Sequence, residues 1–520
     1  MSKYKLIKKF FTEHYLIICL TVFLISFFLH LWIQNTTGFF DPDSFYHLKL
    51  GKIMLEHGPI LDFPWLQFTV LKEYYIDHHF LFHIGSLPFI WLFGDIIGYK
   101  FYTIFLTSSF ITIAYIFMRN LKVKLPIIFS FLLLLDSALL FRLALAKAIP
   151  FSLIILFLGI YLIFKRKYWY LWFVSFLYVW SYGGFILMLG MVIIYIMIDV
   201  IYNSLKTKYE YNFFNKEYLY LLLSVIIGLV AGLVINPYFP KNLWFYWQQV
   251  VEIGLINYQG IVNVGNEWYP YPFLKLITDS GALIIVLILS LALFIVFIKK
   301  QKTSSIFFFV NSFIFLCLTL KSKRYVEYFI PMTVFFTATS ISYSLTGIKL
   351  KKVWQELISS YKKLTYLLAI LIIIICSFIP IIFYKTIIET RQIFFSGGSS
   401  FNTYSGISEY LKKNTSEGEI VMYTNWSDFP VLFYQNSYNY YIVGLDPTFM
   451  YNYDPKLYHL FADITLARKK DNLYEDITEK FKARYFIVNK DRLTLASNLY
   501  QDGRFTMVYE DQDGYIFRAD

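Results

Sequence analysis

The chain has 520 residues, of which 58% are hydrophobic, 21% aromatic and 16% charged, with a formal net charge of +12. Soluble domains carry about 25% charged residues, so a purely soluble protein is excluded and a multi-span membrane protein followed by a soluble part is expected. The positive balance fits cytoplasmic loops that obey the positive-inside rule; no basic stretch is interleaved with aromatics, which excludes nucleic acid as a partner.

Lys3, Lys5, Lys8 and Lys9 precede an apolar run at about 15–33. The run is too long for a signal-peptide core and has no small-residue cleavage site. It reads as a retained first helix with a cytoplasmic N-terminus. A spanning helix takes about 20 apolar residues. Further spans are expected at roughly 99–118, 125–142, 148–164, 168–182, 183–202, 218–236, 273–298, 305–320, 326–345 and 364–384. The short run at 80–94 contains His83 and Pro88. Placing it in the interface puts the basic runs at 119–124, 165–167, 299–302 and 349–352 on the cytoplasmic side. The expected fold is therefore mainly α: a polytopic transmembrane helical protein of about eleven spans. Cys19, Cys317 and Cys376 fall inside apolar runs. They read as packing residues, not as a disulfide or metal framework.

Residues 34–98, 237–272 and the tail after about 385 are then extracytoplasmic. The tail opens with "SGGSS" at 396–400, which reads as a flexible linker. Strands are expected at "EIVMYT", "YYIVG", "ARYFIVN", "FTMVYED" and "GYIFRAD", and helices at "NTYSGISEYLKKN" and "DPKLYHLFADITLARK". This alternation predicts a small C-terminal extracytoplasmic α/β domain. The chain divides into a membrane domain at 1–390, with external loops 34–98 and 237–272, and an α/β domain at 391–520.

The chemistry-bearing residues cluster in the external segments. In "DPDSFYHLKLGKIMLEHG", Asp41 followed by Pro42 reads as a helix cap and is set aside on that account. Asp43 and His47 are four apart and share a helical face. His79 and His83, in "IDHHFLFH" after Asp77, share another; they are structural histidines or, with an acid from elsewhere, metal ligands. Lys321, Lys323 and Arg324 in "KSKRYVEYFIP" stand at the outer ends of two spans, against the positive-inside trend. A basic cluster there fits a bound anion such as a diphosphate. Glu327 is spaced to pair with Lys323. Asp428 with Pro430 in "TNWSDFP" reads as a helix N-terminus, and "GLDPTF" at 444–449 is a further acidic turn without an assigned role.

"DPDSFYHLKLGKIMLEHGPILDF", with the later "DHHFLFHIGSLPF", resembles the first external loop of oligosaccharyltransferase catalytic subunits of the single-subunit type. More broadly it resembles the glycosyltransferase-C superfold. The family pattern is an Asp shortly before Tyr-Tyr-His-Leu-Arg; here Asp43 precedes Phe45, Tyr46, His47, Leu48 and Lys49. The resemblance implies that Asp43 is a catalytic carboxylate that activates the acceptor or helps hold a divalent metal (Mg or Mn). "NEWYPYP" resembles the fifth external loop, which implies a catalytic, acceptor-contacting Glu267. Arg324 and Tyr325 match an Arg–aromatic pair of the family, implying substrate binding. His47, His79, Trp426 and Asp428 complete the substrate-binding candidates.

Two stretches depart from the family. Its paired-acid metal motif has no counterpart in "FRLALAKAIPF" at 141–151, and Asp136 comes several residues too early. Lys147 stands there instead and is a candidate to supply the charge in place of the cation. In the tail, Ser427 and Pro430 replace a Trp and a Gly of the family's Trp-Trp-Asp-Tyr-Gly signature, so sequon recognition does not carry over. The reading implied is an integral plasma (inner) membrane glycosyltransferase. It would transfer a sugar or oligosaccharide from a polyprenyl-(di)phosphate donor in the bilayer to an extracytoplasmic protein, glycan or lipid. The alternative is a non-catalytic transporter or polysaccharide-assembly protein; transporters place polar sites at the midplane, whereas these clusters gather on one side.

Overall fold

In lipid every backbone N–H and C=O must find its partner within the protein, so apolar runs fold as helices. The computed structural model describes residues 14–207, 215–348, 359 and 362–520. The N-terminal lysines, the basic run at 349–352 and the Cys376 side chain lie outside the described residues. Among the described residues, five helices are long and apolar enough to cross a membrane: Tyr15–Gln34, Asp95–Asn120, Leu187–Lys206, Lys216–Val234 and Thr303–Lys321. Their exposed side chains include Leu16, Ile17, Ile193 and Phe313. A continuous apolar exterior of this kind is lipid-facing, and the chain is an integral membrane protein.

Two expected spans are broken. The run 125–142 folds as Pro126–Leu135 and Ser137–Ala144, bent by 79°, and 273–298 folds as Phe273–Asp279 and Gly281–Val296, bent by 92°. At the first break Asp136 leaves the helical backbone and its carboxylate caps the second half, accepting from Leu139 N at 2.9 Å. The two breaks also satisfy each other, because Ser137 Oγ donates to the Asp279 carbonyl at 2.9 Å. The span expected at 183–202 begins at Leu187, since the Gly183–Gly184 stretch is a turn. The other expected runs fold as Ile149–Phe164, Tyr168–Val179, Val326–Ser344 and Lys362–Ser396. The 80–94 run is the helix Phe80–Phe93 of 14 residues. At about 1.5 Å per residue it reaches roughly 21 Å, short of a hydrocarbon core of about 30 Å.

The C-terminal part is built on a five-stranded sheet of order β4-β3-β5-β7-β6. Its strands are β3 (Ile420–Tyr423), β4 (Tyr440–Tyr441), β5 (Tyr485–Asn489), β6 (Phe505–Glu510) and β7 (Gly514–Ala519). β3 pairs in parallel with β4 and β5, through helical crossovers, while β7 runs antiparallel between β5 and β6. "SGGSS" is not a flexible linker. Ser399–Ser400 (β2) pairs antiparallel with Gly38–Phe39 (β1), just ahead of the first acidic cluster. Gly398 has φ +83° and a Cβ there would sit 2.2 Å from the Phe39 carbonyl oxygen, so only glycine fits.

A second backbone seam joins the two parts. Tyr441 N donates to the Trp65 carbonyl at 2.7 Å and its own carbonyl accepts from Gln67 N at 2.9 Å. The loop at 34–98 thus adds a short parallel run to the β4 edge. Phe45, Phe63, Phe433 and Tyr441 are fully buried across this seam, so one apolar core runs through both parts.

Candidate active site

The bent helices and the two backbone seams bring residues distant in sequence around one cavity of about 1130 Å³. Asp43, His47, His79, Lys147, Glu267, Arg324 and Trp426 all line it. Tyr325 and Asp428 do not. The Tyr325 hydroxyl donates to the Gly254 carbonyl at 3.2 Å. Asp428 accepts from Tyr404 Oη at 2.9 Å and Asn489 Nδ2 at 2.8 Å, which ties the first turn after β3 to β5. Neither therefore faces the cavity; Asp428 with Pro430 does stand at a helix N-terminus, that of Phe429–Gln435, though without a side-chain capping bond.

One end of the cavity is the start of the helix Asp43–His57. Asp41 accepts from Asp43 N at 2.9 Å, the capping bond its position implies. Its other oxygen lies 2.9 Å from Lys147 Nζ, and Asp43 Oδ2 lies 2.8 Å from the same ammonium. Setting Asp41 aside as a cap is therefore wrong: it caps and faces the cavity. Lys147 comes from the short connection after Ser137–Ala144, which the break at Asp136 turns inward. Burial would lower Lys147, but Asp41 and Asp43 outweigh it and hold the ammonium above its ordinary range. Burial raises the Asp43 carboxyl above the usual carboxylate range; Lys147 opposes this and Asp41 adds to it.

The other end is built from four charges. Arg142 donates to Glu267 Oε2 at 2.7 Å and, through Nε and Nη2, to Glu327 Oε2 at 3.2 and 2.7 Å. Arg324 donates to Glu267 Oε1 at 3.1 Å and to Tyr182 Oη at 2.9 Å, and stands 4.8 Å over the Trp268 ring. Burial would raise Glu267, but Arg324 and Arg142 hold it far below the usual range. Glu327 does not take up Lys323, which donates instead to Asn266 Oδ1 at 2.7 Å. With 1% of its side chain exposed, Glu327 serves the buried Arg142.

Between the ends, His47 Nδ1 is 2.8 Å from His83 Nε2, and His83 Nδ1 is 2.7 Å from Asp77 Oδ2. Asp77 Oδ1 accepts from His79 N at 3.0 Å, and the His79 ring meets the Ser181 carbonyl at 3.3 Å. Asp446, from "GLDPTF", faces the cavity from the C-terminal part. Burial pushes its carboxyl up to about 6, with Asp43 and Glu267 adding to the shift. Arg142, Glu327, Tyr182, Asp41 and Asp446 are the cavity or network groups that sequence reasoning missed. Their signal was present for Arg142 and Glu327, since a charge within an apolar run is by default a functional candidate.

Among the described residues no group of three His, Cys, Asp or Glu side chains is arranged to hold a metal. Asp41 and Asp43 already share the Lys147 ammonium, and Glu267 is held by two guanidinium groups. His83 is committed to Asp77 and His47. A divalent ion beside Lys147 would meet like charge at close range, so this donor set does not fit one.

No protein-family model matches the chain, and no curated protein matches it. Solved structures do. The oligosaccharyltransferase AglB from Archaeoglobus fulgidus, in complex with an inhibitory peptide and a dolichol-phosphate, superposes with TM-score 0.60 at 13% identity, over 98% of this chain and 75% of that one. ArnT from Cupriavidus metallidurans, bound to undecaprenyl phosphate, gives 0.54 at 13% identity, over 97% of both chains. The arabinofuranosyltransferase AftD from Mycobacteria gives 0.56 at 10% identity, over 96% of this chain and 40% of that one. These neighbours share the glycosyltransferase-C fold, and the chain has that fold.

Proposed function

We propose that this chain, with its glycosyltransferase-C fold, is a membrane glycosyltransferase that moves a sugar or oligosaccharide from a polyprenyl-phosphate or -diphosphate to an extracytoplasmic protein, glycan or lipid. The observation that carries the reading is the polarity of the cavity. A carboxylate end at Asp43 faces a guanidinium end at Arg142 and Arg324 across one water-accessible space. Donor phosphate oxygens would take the guanidinium donors that Glu267 now occupies. There they meet fixed N–H groups as charge builds on the leaving oxygen. The anomeric carbon then lies toward Asp43, which orients the acceptor for attack from the face opposite the phosphate and so inverts the centre. Lys147 fixes Asp41 and Asp43 and supplies positive charge without a divalent ion. The lipid-phosphate ligands of the AglB and ArnT structures support a polyprenyl donor.

The test is transfer from lipid-linked sugars of the native membrane by the full chain in proteoliposomes. Transfer should persist in excess chelator and vanish in Asp43→Asn at normal expression. An Asp43→Asn enzyme with undiminished transfer would remove Asp43 from the mechanism, and loss of activity on chelation would overturn the metal-free reading.

A further inference from the structure

The geometry points to His47 as the group that takes the acceptor's proton, with His83 and Asp77 as the residues that make it a base. Protons can be counted along this buried chain. Asp77 is an acceptor, so the 2.7 Å contact with its Oδ2 requires a proton on His83 Nδ1. Where His83 carries that one proton alone, its Nε2 has only a lone pair. The 2.8 Å contact between His83 Nε2 and His47 Nδ1 needs one proton, and only His47 can supply it. His47 is therefore the Nδ1–H tautomer, and its remaining nitrogen, Nε2, carries a lone pair. A hydrogen bond at one ring nitrogen fixes the chemistry of the other.

Three further observations agree. His47 lines the cavity one helical turn after Asp43. His83 is fully buried and His47 and Asp77 nearly so, so the tautomers are not scrambled by water. Asp77 is anchored at its other oxygen by His79 N, so it cannot swing away from His83. Burial, His83, Lys147 and His78 all lower the His47 imidazole, which keeps it neutral and able to accept. Asp43 is the competing acceptor, but its Oδ2 is taken by Lys147, whereas no hydrogen bond occupies His47 Nε2 among the described residues.

This inference rests on the glycosyl-transfer reading for its step, though not for its tautomers. The acceptor is of the hydroxyl or amine class, with a heteroatom that must lose a proton. Its lone pair forms the bond to the anomeric carbon. The bond from that carbon to the donor phosphate breaks, and its electron pair leaves on the phosphate oxygen. The acceptor's proton passes to His47 Nε2. The resulting imidazolium is stabilised through His83 by Asp77, which position the base without touching substrate.

The decisive measurement is ¹⁵N NMR of the histidines of the full chain in nanodiscs at neutral pH, with signals assigned through His47→Gln and His83→Gln. Both His47 and His83 should be Nδ1–H tautomers with bare Nε2. A His47 ring protonated at Nε2, or doubly protonated, overturns the proposal whether or not transfer is detected. In Asp77→Asn the His83 tautomer preference should be lost. There kcat should fall about 10²–10⁴-fold with donor KM within about twofold. His47→Gln should behave alike. Retention of undecaprenyl phosphate binding reports that each variant is folded. If both variants keep kcat within about threefold while Asp43→Asn abolishes transfer, the relay is wrong and the glycosyltransferase reading stands. If the wild type transfers nothing, that reading fails and the tautomers still decide the relay.

Discussion

The two ends of the cavity treat a carboxylate in opposite ways. At one end two acids, Asp41 and Asp43, share a single ammonium, and Asp43 is raised. At the other a single acid, Glu267, lies between two guanidinium groups and is strongly depressed. Both sit in the same cavity, so burial does not separate them; the ratio of acids to cations does. Carboxylates whose environments push them apart have different tasks. Glu267 is an anion held by two guanidinium groups, and under the proposed function a donor phosphate would take its place. Asp43 is an acid in excess over its counter-charge, and under the proposed function it would meet the incoming acceptor.

The comparison can be broken from either end. The largest effect should come from removing the excess acid: Asp43→Asn should lower kcat by about 10³-fold or more, with undecaprenyl phosphate binding retained, as measured in proteoliposomes. Next is Glu327→Ala, which leaves the guanidinium of Arg142 short of its buried counter-charge. It should destabilise the fold by about 3–5 kcal/mol, read as a lowered unfolding midpoint. Arg324→Ala should cost about 10²–10³ in kcat/KM for the donor. Arg324→Lys should recover only part of this, because an ammonium cannot reproduce the fork between Glu267 and Tyr182. The smallest effect concerns Asp446, whose carboxyl is pushed up to about 6. Below that pH it is neutral and above it anionic, so the cavity gains negative charge as pH rises. Donor KM should therefore rise a few-fold, roughly threefold, from pH about 5.5 to about 7.5, and the dependence should flatten in Asp446→Asn.

Much of this was legible in residue order, for a physical reason. Asp43, Glu267 and Arg324 each stand in a short motif next to an apolar run, where chain and membrane together fix the neighbourhood. The strands of the C-terminal part also follow from alternation and turn residues. The partners were not legible. Arg142 meets Glu327 across 185 residues of chain, and the local rule that paired Glu327 with Lys323 lost to that buried contact. The breaks at Asp136 and Ser280 were hidden because hydropathy averages over a window and passes over an isolated polar residue such as Asp136, which caps a half-helix. The histidine relay was hidden too: spacing brings His79 and His83 to one face, but the partner of His83 comes from another helix.

The short β1–β2 ladder has a practical consequence for anyone recombining proteins of this fold. Asp41, Asp43 and His47 lie on a stretch of chain gripped at both ends by the C-terminal part, at Gly38–Phe39 by Ser399–Ser400 and at Trp65–Gln67 by Tyr441. A chimera joined near residue 391 therefore exchanges both grips on the acidic loop along with the sheet. A graft succeeds only if the incoming segment brings a glycine at 398, opposite the Phe39 carbonyl, and an edge strand in the same register.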